Sequence, residues 1–319
     1  MLKRFIAIIL IIILTSAAAL ILPSCKDGEP DDGKIKVVAT IFAPYDFVRE
    51  IAGDKINITM LLPPASESHS FEPTAQDIIK IQNCDVFIYV GSESDVWVDR
   101  ILDSMDEKYT ENKKIITLME CVDVVEEEIV EGMEENEQDD DDEPEYDEHV
   151  WTSPQNAKLI VRAISDVLCE IDDENAETYR QNTASYITKL DDLDRAFRNV
   201  VDNAARKTIV FGDRFPFRYF VDAYGLDYFA AFPGCSTETE PSAKTIAFLI
   251  EKIKETQIPV VFHAEMSNGK VAETISGETG AKVLTLHSCH NISKDDFSKG
   301  ATYLELMTKN VDALKEALQ

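Results

Sequence analysis

Two stretches in which short β-branched runs alternate with amphipathic helical segments, separated by a long helical stretch lacking glycine and proline, predict an α/β fold. It has two βα lobes with parallel sheets, joined by a long rigid connecting helix. In the first lobe, strands are expected at 36–42, 57–62, 85–90 and 114–119, with helices near 46–53, 74–83 and 95–107 between them. The second lobe repeats the scheme with strands at 207–212, 226–231, 258–263 and 282–287. Its helices fall at 215–224, 242–257 and 268–277, and a last one covers about 297–318. Between the lobes, residues 153–170 open a helix with Pro154 in the first turn, where its missing N–H costs nothing. Residues 173–206 continue helically without a breaker, long enough to act as a strut that limits lobe opening.

The composition excludes some partner classes. A formal net charge of −29 argues against nucleic acid and anionic membrane surfaces and favours a cationic ligand. Residues 123–148 hold sixteen Asp or Glu and no Lys or Arg, more than half of that excess. Such a tract reads as a solvated, disordered loop that concentrates cations nearby. At the N-terminus, Lys3 and Arg4 precede an apolar run over residues 5–22 that ends in L-P-S-C. This pattern is that of a lipoprotein signal covering residues 1–24, with Cys25 as the lipidation site; a retained membrane helix is the alternative. The resulting organisation is linker 25–35, first lobe 36–152 with the acidic loop 123–148, connecting helices 153–206 and second lobe 207–319.

Only five histidines occur: His69, His149, His263, His287 and His290. His263 and His287 end predicted strands, His69 follows one, and His149 precedes the first connecting helix. In open α/β sheets, ligands bind at the carboxyl ends of strands. No compact chelate motif is present, so only the fold can assemble a site, expected in the interlobe cleft. Imidazole donors suit zinc and its neighbours.

Several segments together resemble the zinc and manganese substrate-binding lipoproteins of ABC importers. Residues 64–77, P-A-S-E-S-H-S-F-E-P-T-A-Q-D, are similar to the family loop carrying a first metal-binding histidine, here His69. Residues 148–157, E-H-V-W-T-S-P-Q-N-A, are similar to the segment carrying the second, here His149, and 234–243, G-C-S-T-E-T-E-P-S-A, to a second-lobe loop. The resemblance implies a third ligand within F-G-D-R-F-P-F-R-Y-F, where Arg214 stands, an arginine that cannot bind metal, with Asp213 beside it. It implies a final carboxylate at the end of V-L-T-L-H, where His287 stands, and a glutamate near His263, with Glu265 two residues on. The relocated set His69, His149, His263 and His287 is therefore expected, with Glu67, Glu265, Asp213 or Arg214 as further ligands or supporting groups. The resemblance also implies a Cys235–Cys289 disulfide.

These readings imply Zn2+ ahead of Mn2+ as cargo. The expected partners are the permease of an ABC transporter and the membrane through the lipid anchor, with the chain acting as a monomer and not as an enzyme. A zinc hydrolase using Glu67 or Glu265 as base, and a surface adhesin with a structural metal, are the competing classes; the absence of H-E-x-x-H weighs against the first.

Overall fold

The computed structural model describes residues 32–67, 71–92, 95–133, 145–235 and 241–319. Ile35–Gln319 form one unit, which contains both lobes. Among the described residues no helix is long and apolar enough to cross a membrane; the apolar run 5–22 and Cys25 lie outside them.

The first lobe runs β1 (Lys36–Ala39), α1 (Phe42–Ala52), β2 (Asn57–Met60), α2 (Ala75–Asn83), β3 (Val86–Tyr89), α3 (Val96–Asp103), α4 (Glu107–Thr110) and β4 (Lys114–Thr117). Its four strands are parallel in the order β2-β1-β3-β4. The near-continuous apolar strands Val86–Tyr89 and Lys36–Ala39 suit a sheet covered on both faces. Helix α1 begins at Phe42, earlier than the predicted 46, because Pro44 falls in its first turn and is tolerated there. Thr74 and Asp77 close a reciprocal capping box that starts α2.

Helix α5 (Pro154–Ile171) and helix α6 (Ala176–Asp202) connect the lobes. The predicted strut is shorter at both ends. At its start Asp172 accepts hydrogen bonds from Asn175 and from the Tyr179 hydroxyl, making a turn where helix was expected. The 27 residues of α6 span roughly 40 Å at 1.5 Å per residue. Its apolar stripe of Tyr186, Leu190, Phe197 and Val201 is buried in one core shared by both lobes, which also contains Phe47, Phe211 and Tyr303. Phe47 stacks edge-on to Tyr303 at 4.9 Å, joining α1 to the last helix.

The second lobe comprises β5 (Thr208–Arg214), α7 (Arg218–Tyr224), β6 (Asp227–Phe232), α8 (Ala243–Thr256), β7 (Val260–Ala264), α9 (Lys270–Thr279), β8 (Lys282–Leu286), α10 (Lys294–Ser298) and α11 (Tyr303–Leu318). Its parallel sheet has the order β6-β5-β7-β8. In each sheet the strand order reverses direction between two central strands, β1 and β3 in one and β5 and β7 in the other. The loops leaving those strands are where a ligand crevice forms.

The acidic tract is not wholly a loose loop. Glu126 and Tyr146 form an antiparallel bridge, Asp147 N–H donates to Val125 O at 3.0 Å, and Asp147 and Glu148 are each only 1% exposed. Residues 134–144 lie outside the described residues.

Candidate metal centre

Asp147, Glu148 and His149 enter the interior just before α5, pinned by Tyr219, whose hydroxyl donates to Asp147 O at 2.7 Å. The same Asp147 carboxylate accepts the His149 backbone N–H at 2.8 Å and faces ring Nδ1 at 3.2 Å. A carboxylate can only accept, so Nδ1 carries the proton and Nε2 is the nitrogen presented to a metal. Nε2 stands 3.9 Å from Glu148 Oε1. Burial works against a charged His149, yet Asp147, Glu148 and Glu127 outweigh it and hold the pKa above the ordinary histidine value.

The second imidazole is His290, in the loop after β8. Ligand atoms of Glu148, His149 and His290, all buried, lie within 4.8 Å of one another. The two rings are 5.5 Å apart, and each packs on Trp151, whose Nε1–H donates to Ser288 O at 2.8 Å. His290 O accepts the Phe42 N–H at 3.0 Å, so the loop from the second lobe closes onto the first turn of α1. Glu148 accepts from Ser92 Oγ after β3. Donors from the segment before α5 and from the loop after β8 therefore meet at one place.

Two cavities adjoin this cluster. One, open to solvent, is bounded by His149 and His290 and by Glu67, Asp213, Arg214 and Glu265. The other is bounded by His290, Glu148, Thr40, Ser92, Asp95 and Phe71. Arg214 Nη1 pairs with Glu67 Oε1 at 3.3 Å. Asp213 accepts backbone N–H groups from Arg214 at 2.9 Å and Ala264 at 3.3 Å, and Glu265 accepts both the N–H and hydroxyl of Ser288. All four supporting residues expected at the site thus line the cleft.

The expected ligand set requires correction. His263 Nδ1 donates to Ala264 O at 2.9 Å, which leaves Nε2 to accept from the Thr285 hydroxyl at 3.0 Å on the neighbouring strand, so this ring is used up within the sheet. His287 is held by Asn310, which bonds its N–H and its carbonyl, and its half-buried ring lies near Lys309, Asp296 and His263. Neither borders the cavities. The strand-end rule stopped three residues short of His290. His69 lies outside the described residues, but its described flanks Glu67 and Phe71 border the two cavities that share His290. The expected disulfide is also absent: Cys235 and Cys289 are both free thiols. Cys235 adjoins Glu127 and Asp147, whereas Cys289 is fully buried in the shared core.

Ala65 (φ 67°) and Cys289 (φ 58°) adopt the left-handed region without being glycine. That conformation costs about 1 kcal/mol or more and concentrates at binding sites. Both flank the cleft, where Ala65 N–H donates to Ile292 O at 2.9 Å.

A crevice between two parallel-sheet lobes, floored by nitrogen and carboxylate donors, defines a two-lobed metal-binding protein. The chain belongs to the ZnuA family, described as zinc-uptake complex component A, periplasmic, which matches residues 37–317. It is 34% identical over 310 residues to the zinc-binding lipoprotein AdcA of Streptococcus pneumoniae (strain ATCC BAA-255 / R6), covering 96% of this chain but only 60% of that protein. It is 32% identical over 301 residues to the high-affinity zinc uptake system protein ZnuA of Bacillus subtilis (strain 168), covering 92% of this chain and 91% of that one. The Zn(II)-bound ZnuA-like domain of Streptococcus pneumoniae AdcA matches with a TM-score of 0.71 at 32% identity, over 90% of this chain and 99% of that domain.

Proposed function

We propose that this protein captures Zn2+ outside the cytoplasm and delivers it to the permease of an ABC importer. The observation that carries this reading is the buried Glu148, His149 and His290 cluster at the meeting point of both lobes. Two imidazoles and a carboxylate suit zinc, and His69 is proposed as a further ligand because its flanks border both cavities beside His290. Arg214, neutralised by Glu67, sits in the cleft as a supporting group and not as a ligand. The proposed organisation keeps a signal at 1–24 and a lipid anchor on Cys25, supported by the L-P-S-C sequence and by the lipoprotein description of the pneumococcal relative.

Elemental analysis of protein purified without added metal, followed by chelator competition with Zn2+ and Mn2+, tests the reading. One tight equivalent of zinc is expected, with manganese weaker by at least ~100-fold, since manganese prefers oxygen donors and sits at the weak end of the divalent series. Equal affinities, or no tight equivalent, would overturn it.

A further inference from the structure

We propose that Cys235 is a metal donor, and that with Glu127 and Glu145 it forms a staging site for a divalent cation beside the buried centre. The proposal rests on the reading above for what lies at the end of the path, but its own site is separate. The Cys235 sulfur belongs to two overlapping donor groups, one with Glu127 and Glu145 and one with Asp147 and His149; in each, the ligand atoms lie within 4.8 Å of one another. His149 in turn belongs to the group with Glu148 and His290. The three groups grade from partly exposed to fully buried, so an ion could pass inward by exchanging one shared donor at a time.

The arrangement is built, not incidental. Glu127 N–H donates to Glu145 O at 2.9 Å next to the Glu126–Tyr146 bridge, which sets the two ends of the acidic tract side by side. Glu127 Oε1 accepts the Cys235 N–H at 2.7 Å, fixing the thiol against that bridge. Gly234 makes the approach possible: a Cβ there would lie 2.9 Å from Asp147 Oδ2 and 3.3 Å from His149 Cε1. Around the sulfur stand the carboxylates of Glu127, Asp147 and Glu148, a field that a dication would neutralise. On binding, the metal takes the place of the thiol proton, which leaves to solvent, and an S–metal bond forms with no change of oxidation state. A thiolate donor favours zinc and other soft ions over manganese.

The test uses the reduced full chain loaded with one equivalent of zinc and then titrated with Co2+, whose thiolate complexes give a near-ultraviolet charge-transfer band. The band is expected to rise with the second equivalent, to vanish in Cys235→Ser and to persist in Cys289→Ser. Glu145→Gln, at an exposed position that perturbs folding little, should weaken the second equivalent at least ~fivefold, about 1 kcal/mol. No band, a band surviving in Cys235→Ser, or a Glu145→Gln titration identical to wild type would overturn the proposal. His290→Ala, titrated with Co2+ without zinc, separates the two readings: it should lack the tight equivalent while the band remains. An intact tight equivalent in that variant would reject the buried centre and leave the Cys235 test standing by itself.

Discussion

Burial, with Lys309 and His263 nearby, brings the His287 imidazole down to about 4, and Asp296 only partly opposes this. The unfolded chain binds a proton here below about 6.5 and the folded chain does not until about 4, so His287 withdraws stability as pH falls through that window. Asp46 and Asp95, raised to about 7 chiefly by burial, act in the opposite sense, favouring the folded state at lower pH. The difference between wild type and His287→Gln isolates the histidine. Denaturant titrations from pH 7 to pH 4 should show wild type losing on the order of 2–3 kcal/mol relative to the variant; parallel losses would show that the ring is solvated. This structural role is what the sequence conceals. His263 and His287 each occupy a strand end, where ligands belong, and nothing in a linear string shows that Thr285 and Asn310 engage them. His149 was legible because it stands beside Trp151 and Pro154 at a helix entrance, whereas His290 depends on a left-handed turn at Cys289 that no residue type there announces.

At the scale of elements, the loop after β2 is held to the loop after β8 by Asn291. Its Nδ2 donates to Pro63 O at 2.9 Å and Ser66 O at 2.7 Å, just before His69. Asn291→Ala removes both bonds while Pro63 O keeps the Ser66 N–H, a cost on the order of 1 kcal/mol. Zinc affinity should fall together with the melting temperature, by at least ~tenfold, because the flank of the proposed His69 ligand is no longer fixed. An unchanged affinity in a destabilised variant would mean that the loop does not position a ligand. The strands and helices themselves were readable, since buried parallel strands are continuous apolar runs and the helices carry clear periodicity. The ends of the connecting helix were less so: the Asp172 turn is set by side-chain hydrogen bonds to Asn175 and Tyr179 that compete with helix.

For the whole molecule, a net charge of −29 attracts cations from solution. Raising ionic strength from ~0.02 to ~0.5 M should slow zinc association several-fold while leaving its dissociation rate nearly constant, because screening acts on approach and far less on a buried site. Stopped-flow measurement with a zinc indicator checks this; a salt-independent association rate would remove the steering role of the acidic surface. The shared core around α6 keeps both lobes in one unit, which holds the donors before α5 and after β8 beside one another. His149 and His290, and not His263 and His287, are the proposed metal ligands. Zinc affinity measured by chelator competition in His290→Ala and His287→Ala compares the two assignments directly. A loss of at least ~100-fold, about 3 kcal/mol, is expected for His290→Ala and less than ~threefold for His287→Ala. The reverse order would contradict the proposed assignment.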